Sequence, residues 1–123
     1  MKSANLTNLP TEQLVSLFES IAEQQFLAAE EFESRQYNRL YGQMEAIVAE
    51  LKSREGDQRH KLLFLHSHQN EQVRLMSAIH TLSIDYQGSR SVLQVLADLG
   101  HFPTGMDARG MIRALNEGRY TPS

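Results

Sequence analysis

A chain of 123 residues, 41% of them hydrophobic, is long enough for one domain of ordinary size with a real core. The net charge of -3 and pI near 5.9 have the wrong sign for a general nucleic-acid binder, whose footprint is a basic face. Cysteine is absent, which excludes disulfides, thiolate metal sites and a cysteine nucleophile.

The first residues, Met1 to Asn5, lead into polar sequence with no apolar run, so no secretory signal is expected. The longest apolar stretch, Leu62-Leu63-Phe64-Leu65, is far too short to span a bilayer. The expectation is a soluble cytoplasmic protein with no membrane contact. Residues 1–9 read as a tail. Pro10, Thr11 and Glu12 suit a helix start, because proline loses nothing in the first turn and a carboxylate there complements the helix dipole. From there to about Phe32, Leu14, Leu17, Phe18, Ile21, Ala28 and Phe32 repeat at helical spacing. A second helix is predicted from about Gln36 to Ser53, with Tyr37, Leu40, Tyr41, Met44, Ile47, Val48 and Leu51 in one stripe. Gly56 ends it, and Asp57 can cap a short third helix through Leu65.

Asn70 can cap a fourth helix carrying Val73, Met76, Ile79 and Leu82. Gly88 and Ser89 read as a break before a fifth helix with Val92, Leu93, Val95, Leu96 and Leu99, which Gly100 closes. After a turn at residues 102–105, Asp107 opens a sixth helix with Ala108, Met111, Ile112 and Leu115, and Gly118 ends it; Gly110, inside that helix, reads as a point of close packing against the fifth. Strand-like alternation is absent. The helical segments pair as first with second, third with fourth, and fifth with sixth. One domain over residues 10–118 follows, with a short tail at 119–123.

The helical register restarts every 35 residues. Arg39, Arg74 and Arg109 begin each copy. Leu40, Leu75 and Gly110 follow, then Tyr41, Met76 and Met111, and further on Met44, Ile79 and Ala114. A period in this range marks stacked helix pairs, each burying its open face against the next. The predicted fold is therefore all-α, a right-handed stack of three antiparallel helix pairs.

Residues 70–74, Asn-Glu-Gln-Val-Arg, with Ala78 and Leu82, resemble the second helix of a HEAT repeat. The stretch from about Ala46 to Pro122 resembles a small bacterial family known as a domain of unknown function, with a HEAT-like or armadillo-like fold. The matching pieces are residues 47–51 before Gly56, Val73-Arg74, Val92-Leu93 with Leu96-Ala97, and Ala114-Leu115 with Gly118 and Pro122. The resemblance implies a fold and brings no catalytic residues. His66-Ser67-His68 departs from it, standing where HEAT-like units place small or acidic turn residues. In HEAT-like stacks an arginine at the position of Arg39, Arg74 and Arg109 bonds turn carbonyls or acids of the neighbouring unit. The alternative is an arginine row reaching for an acidic partner. Boundary arginines lay their stems on the core, so the structural role is preferred.

No histidine pair has the three- or four-residue spacing that puts two metal ligands on one helical face, and neither a nucleophile elbow nor a phosphate loop occurs. No metal, no cofactor and no catalytic residue is expected. The sharper feature is the first helix. Residues 3–34 hold six glutamates and no lysine or arginine. At about 100° per residue, Glu12, Glu19, Glu23 and Glu30 fall near one line, flanked by Phe26 and Leu27. A solvated face is one reading. The other is a docking surface for a basic protein partner, since large apolar residues beside an unpaired acidic line resemble an interface. The leading expectation is a non-enzymatic protein-binding module, monomeric or weakly dimeric. One concrete form is an immunity protein or antitoxin neutralising a basic toxin, an inference by analogy. The rivals are an enzyme or small-ligand binder with a cleft near His66, His68 and His101, and a subunit that self-associates through Phe26 and Leu27.

Overall fold

The computed structural model describes residues 3–123, with side chains from Leu6 onward. The described residues are all-helical and contain no strand: a 3-10 helix Ser3–Asn8, α1 (Thr11–Glu30), α2 (Ser34–Ser53), a 3-10 helix Gln58–Ser67, α3 (Glu71–Ile79), α4 (Tyr86–Leu99) and α5 (Thr104–Asn116). None of these helices is long and apolar enough to cross a membrane. The chain forms two compact units, one ending at Leu62 and one beginning at Leu63.

In the first unit α1 packs on α2. Leu14, Phe18, Ile21, Ala22, Gln25 and Ala28 form the buried face of α1, and Leu40, Met44, Ile47 and Leu51 that of α2. Each large apolar side chain buried in this way contributes roughly 1.5–3 kcal/mol. The segment read as a tail instead holds the first 3-10 helix, whose Leu6 is buried. Arg54 holds it in place. Its Nη2 donates to the Leu6 carbonyl at 3.0 Å, its Nη1 to Thr11 Oγ1 at 3.3 Å and its Nε to Glu50 Oε2 at 3.0 Å. Beyond α2 the backbone is left-handed at Gly56 (φ 78°) and Asp57 (φ 52°). Asp57 tolerates this because its short carboxylate can bond locally. It accepts from Arg59 Nε at 2.8 Å and from Arg59 Nη2 at 2.6 Å. It also accepts from the Arg59 amide, which is the expected cap of the segment.

In the second unit α3 packs on α4, and α4 on α5. Asn70 caps α3 as expected, its Oδ1 accepting from the amides of Gln72 at 2.8 Å and Val73 at 3.2 Å. His68 Nδ1 accepts the Asn70 amide at 2.9 Å, so the His66-Ser67-His68 stretch serves the cap that follows it. At the other end of α4, Gly100 is left-handed at φ 68° and closes the helix. Gly105 lies against that turn: a Cβ there would stand 2.9 Å from Gly100 Cα, so only glycine lets α5 start this close. The Phe102–Pro103 peptide is cis.

Several expectations need correction. The third segment is a 3-10 helix over Gln58–Ser67 and not an α-helix. Gly88 and Ser89 lie inside α4, because Asp85 caps it three residues earlier by accepting the Gly88 amide at 3.1 Å. α5 begins at Thr104, ahead of Asp107. Phe32 is not core. α1 stops at Glu30, and Phe32 is 80% exposed. Val95 and Leu99 are exposed as well, since only Leu93, Leu96 and Ala97 on that helix turn inward with Ser89. Gly110, expected to pack closely, has open space where a side chain would stand.

Candidate functional site

The C-terminal end of α1 is built against its own electrostatics. Glu33 N donates to Ala28 O at 2.8 Å and Phe32 N to Ala29 O at 3.2 Å, which together form a Schellman motif. The position that this motif makes left-handed is normally glycine, because a Cβ is disfavoured there. Here it is Phe32, with φ 58°. The residue after it usually makes an apolar contact back to the helix, but this chain has the charged Glu33. Glu30 and Glu31 occupy the last helical position and the C-cap, where the helix dipole favours cations, and no basic residue falls in the last turn. Arg35, the nearest cation in sequence, pairs with none of them among the described residues. Leu27, one turn back, is 57% exposed.

The other expected interface residues are spread along α1, with Glu12 in its first turn at the far end. Glu12, Glu23 and Glu30 are exposed, while Glu19 and Phe26 are half-buried. Glu19 and Glu23 are engaged within the protein, so the middle of the carboxylate line is not open in the way the sequence suggests. The strongest features are Glu31 and Phe32 beside it. The residue-by-residue charge count includes Glu31, but its place at a cap depends on where the helix stops.

The three register arginines have three different settings. Arg39 is exposed and donates from Nη2 to Gln36 Oε1 one turn earlier in α2. Arg74 is half-buried in α3, with its Nε sheltered and unbonded, and its charge acts on Glu71. Arg109 is exposed on α5, its guanidinium beside Gly100 at the negative end of the α4 dipole. The arginine that bonds carbonyl, hydroxyl and carboxylate together is Arg54, which lies outside the repeat.

Two side-chain networks surround the histidines of the second unit. Thr81 Oγ1 donates to the Ser77 carbonyl at 2.7 Å, which uses its only proton. Ser89 Oγ at 2.8 Å and His66 Nε2 at 2.9 Å are then the donors to it. Burial lowers the His66 pKa below its ordinary 6.5, which outweighs the opposing bond to the Ser77 backbone and the charge of Asp85. Hydroxyls and an imidazole meet here, but Thr81 and Ser89 have no exposed surface. A substrate would reach them only by parting α3 from α4, so the arrangement fixes helices and is poorly placed for nucleophilic chemistry.

The second network joins α3 to the α4–α5 turn. Glu71 Oε2 accepts from His101 Nδ1 at 2.5 Å, and Glu71 Oε1 from Thr104 Oγ1 at 2.7 Å. Burial pushes the Glu71 pKa up, but the bonds from Thr104 and His101 and the charges of His101 and Arg74 bring it below 4.5 overall. His101 is exposed, and its Nε2 makes no hydrogen bond among the described residues. No hydroxyl is bonded to it as a nucleophile.

The family of a domain of unknown function, DUF2019, matches residues 12–116, and the chain belongs to that family. No curated protein matches it. Among solved structures it is similar to the protein RPA1889 from Rhodopseudomonas palustris, with 36% identity and a TM-score of 0.92 over 96% of this chain and 98% of that one.

Proposed function

We propose that the protein is a non-enzymatic, cytoplasmic binding module whose α1 C-terminal end receives a basic protein partner. The observation that carries this reading is Phe32, a bulky ring held left-handed and 80% exposed between glutamates. Folding alone gives no reason for such a residue there. Strained, exposed side chains concentrate where a surface works. An aromatic anchor within a polar rim is a common plan of an interface. A cationic partner would also relieve the unfavourable placement of Glu30 and Glu31. Leu27 extends the apolar part, and Glu33 extends the acidic one. An immunity protein or antitoxin facing a basic toxin is one form that this would take. The α1–α2 and α4–α5 packings also accord with HEAT-like helix pairs, whose role is to present such surfaces.

Affinity capture from the native cell at moderate salt tests this, comparing the parent protein with Phe32→Ala and with Glu30→Lys combined with Glu31→Lys. A basic protein retained by the parent and lost by both variants is expected. Identical capture by all three would end the proposal.

A further inference from the structure

We propose that the turn between α4 and α5 is a self-association surface, which pairs with the same surface of a second copy of the chain. The patch is built from Val95 and Leu99 of α4, Phe102 of the turn and Met106 of α5, each about half exposed or more. Val95 and Leu99 are four residues apart and share a face of α4, outside the buried set of Leu93, Leu96 and Ala97. The turn brings the other two close to them. Gly105 lies against Gly100, and its amide donates to the His101 carbonyl at 2.7 Å, which closes the loop at its base. Leu99 and Met106 flank that contact, one on each helix, with Phe102 in the loop between them. Glu71 accepts from both His101 and Thr104, so the backbone that carries Phe102 is tied to α3 on both sides of the ring.

Area and charge point to a second copy as the occupant. A wholly uncovered large side chain offers roughly 200 Å², so four at about half exposure present on the order of 400 Å² of apolar surface. A patch of that size on one soluble domain is commonly functional. A stable dimer buries roughly 600–1,000 Å² per partner, as an apolar centre within a polar rim, and this patch supplies a centre of that kind. None of the four side chains is charged. A surface that pairs with itself about a two-fold axis brings like against like, which apolar groups accept and unpaired charges do not. The end of α1, with Glu30, Glu31 and Glu33 around Phe32, would instead repel its own copy. The sequence beside the turn carries both signs, Asp98 and Asp107 with Arg109, so two copies can set acid against guanidinium at the rim. The bonds to Glu71 hold the loop before association, which leaves little ordering to offset the burial. The patch belongs to the second unit and does not rest on the α1 reading.

The test is sedimentation equilibrium of the whole chain from roughly 10 µM to 1 mM, the range in which interfaces near the lower size limit associate. A monomer–dimer equilibrium is expected. Leu99→Lys at the end of α4 and Met106→Glu in the first turn of α5 both suit the helix dipoles, so they should keep the fold, which thermal unfolding checks. Each buries a charge in the paired patch and should weaken the dimer by roughly tenfold or more. Leu27→Lys, near the end of α1, should leave it unchanged. A monomer throughout the range, a dimer that neither variant weakens, or an equal loss in Leu27→Lys would each overturn the proposal. In a parallel arm with phosphatidylcholine vesicles, co-sedimentation that Leu99→Lys abolishes would assign the patch to a lipid surface and overturn it as well.

Discussion

Replacing Phe32 with glycine separates what the fold needs from what the surface does. In the left-handed region an L-residue costs roughly 1–2 kcal/mol, a cost that glycine does not bear. Against this, glycine has more freedom to lose on folding, by about 0.5–1 kcal/mol. The ring itself contributes little to the folded state, because Phe32 is 80% exposed and little of its area is taken from water. The Schellman bonds to Ala28 and Ala29 are made by backbone and survive the change. The net expectation is that Phe32→Gly stabilises by about 0.5–1 kcal/mol, or about 2–4 °C in Tm for a chain of this size. Phe32→Ala keeps the left-handed penalty and loses the ring, so it should stay within about 0.5 kcal/mol of the parent. Urea and thermal unfolding measure both. If either variant is destabilised by more than about 1 kcal/mol, the ring packs where it is thought to be exposed and the argument fails. If both fold as expected and partner binding is unaffected, the strain at Phe32 has no bearing on recognition.

Three further perturbations probe the remaining structure. Arg54→Met retains the apolar stem but removes the bonds to Leu6, Thr11 and Glu50, and should cost about 1–2 kcal/mol while exposing residues 3–8 to proteolysis. Gly105→Ala must displace backbone at Gly100 and Leu96, and should destabilise by about 1–3 kcal/mol, whereas Gly110→Ala meets nothing and should stabilise by about 1 kcal/mol. His66 contributes a pH dependence of defined sign. Its folded pKa lies below 6.5, so the unfolded chain binds more protons in that window, and stability falls as the pH drops through 6.5 toward the folded value. Denaturation midpoints of the parent and His66→Gln between pH 7.5 and 5 should converge as the pH falls, and parallel curves would contradict the buried neutral imidazole.

Periodic patterns made much of this fold legible, and point interactions did not. The stripes Leu14–Phe18–Ile21 and Leu40–Met44–Ile47–Leu51 are long and regular, and both are buried as expected. Asn70 and Gly100 mark helix ends through local chemistry that needs no tertiary knowledge. The α1 stripe fails at Phe32, where continuing the period by one more turn turned a surface residue into a core one. Gly88 misled for the opposite reason: a glycine inside the first turn of α4 looks like a break until Asp85 is seen capping it. The assignment of the close-packed glycine to position 110 rather than 105 turns on which backbone lies opposite, and composition carries no trace of that. His66, Thr81 and Ser89 lie 15 and 8 residues apart with no fixed spacing to find. The arginine repeat is real as a pattern, yet Arg54, outside it, makes the bonds such an arginine was expected to make.

The candidate interface rests on where local rules and the global fold disagree. A sequence selected for folding alone would end α1 with a lysine and place glycine at position 32 and alanine at 110. This chain departs at every one of those points, though each departure is removable by a single exposed substitution that leaves the core untouched. Departures that are costly but easily removed are hard to explain by packing, because packing constraints show the reverse behaviour: they are favourable and destructive to remove, as at Gly105 or Arg54. Stability measurements therefore sort the two kinds. Residues whose replacement stabilises the chain, Phe32 and Gly110 first among them, mark surface that something other than folding has shaped. Their effect on partner capture, measured in the same variants, determines whether the end of α1 carries the recognition.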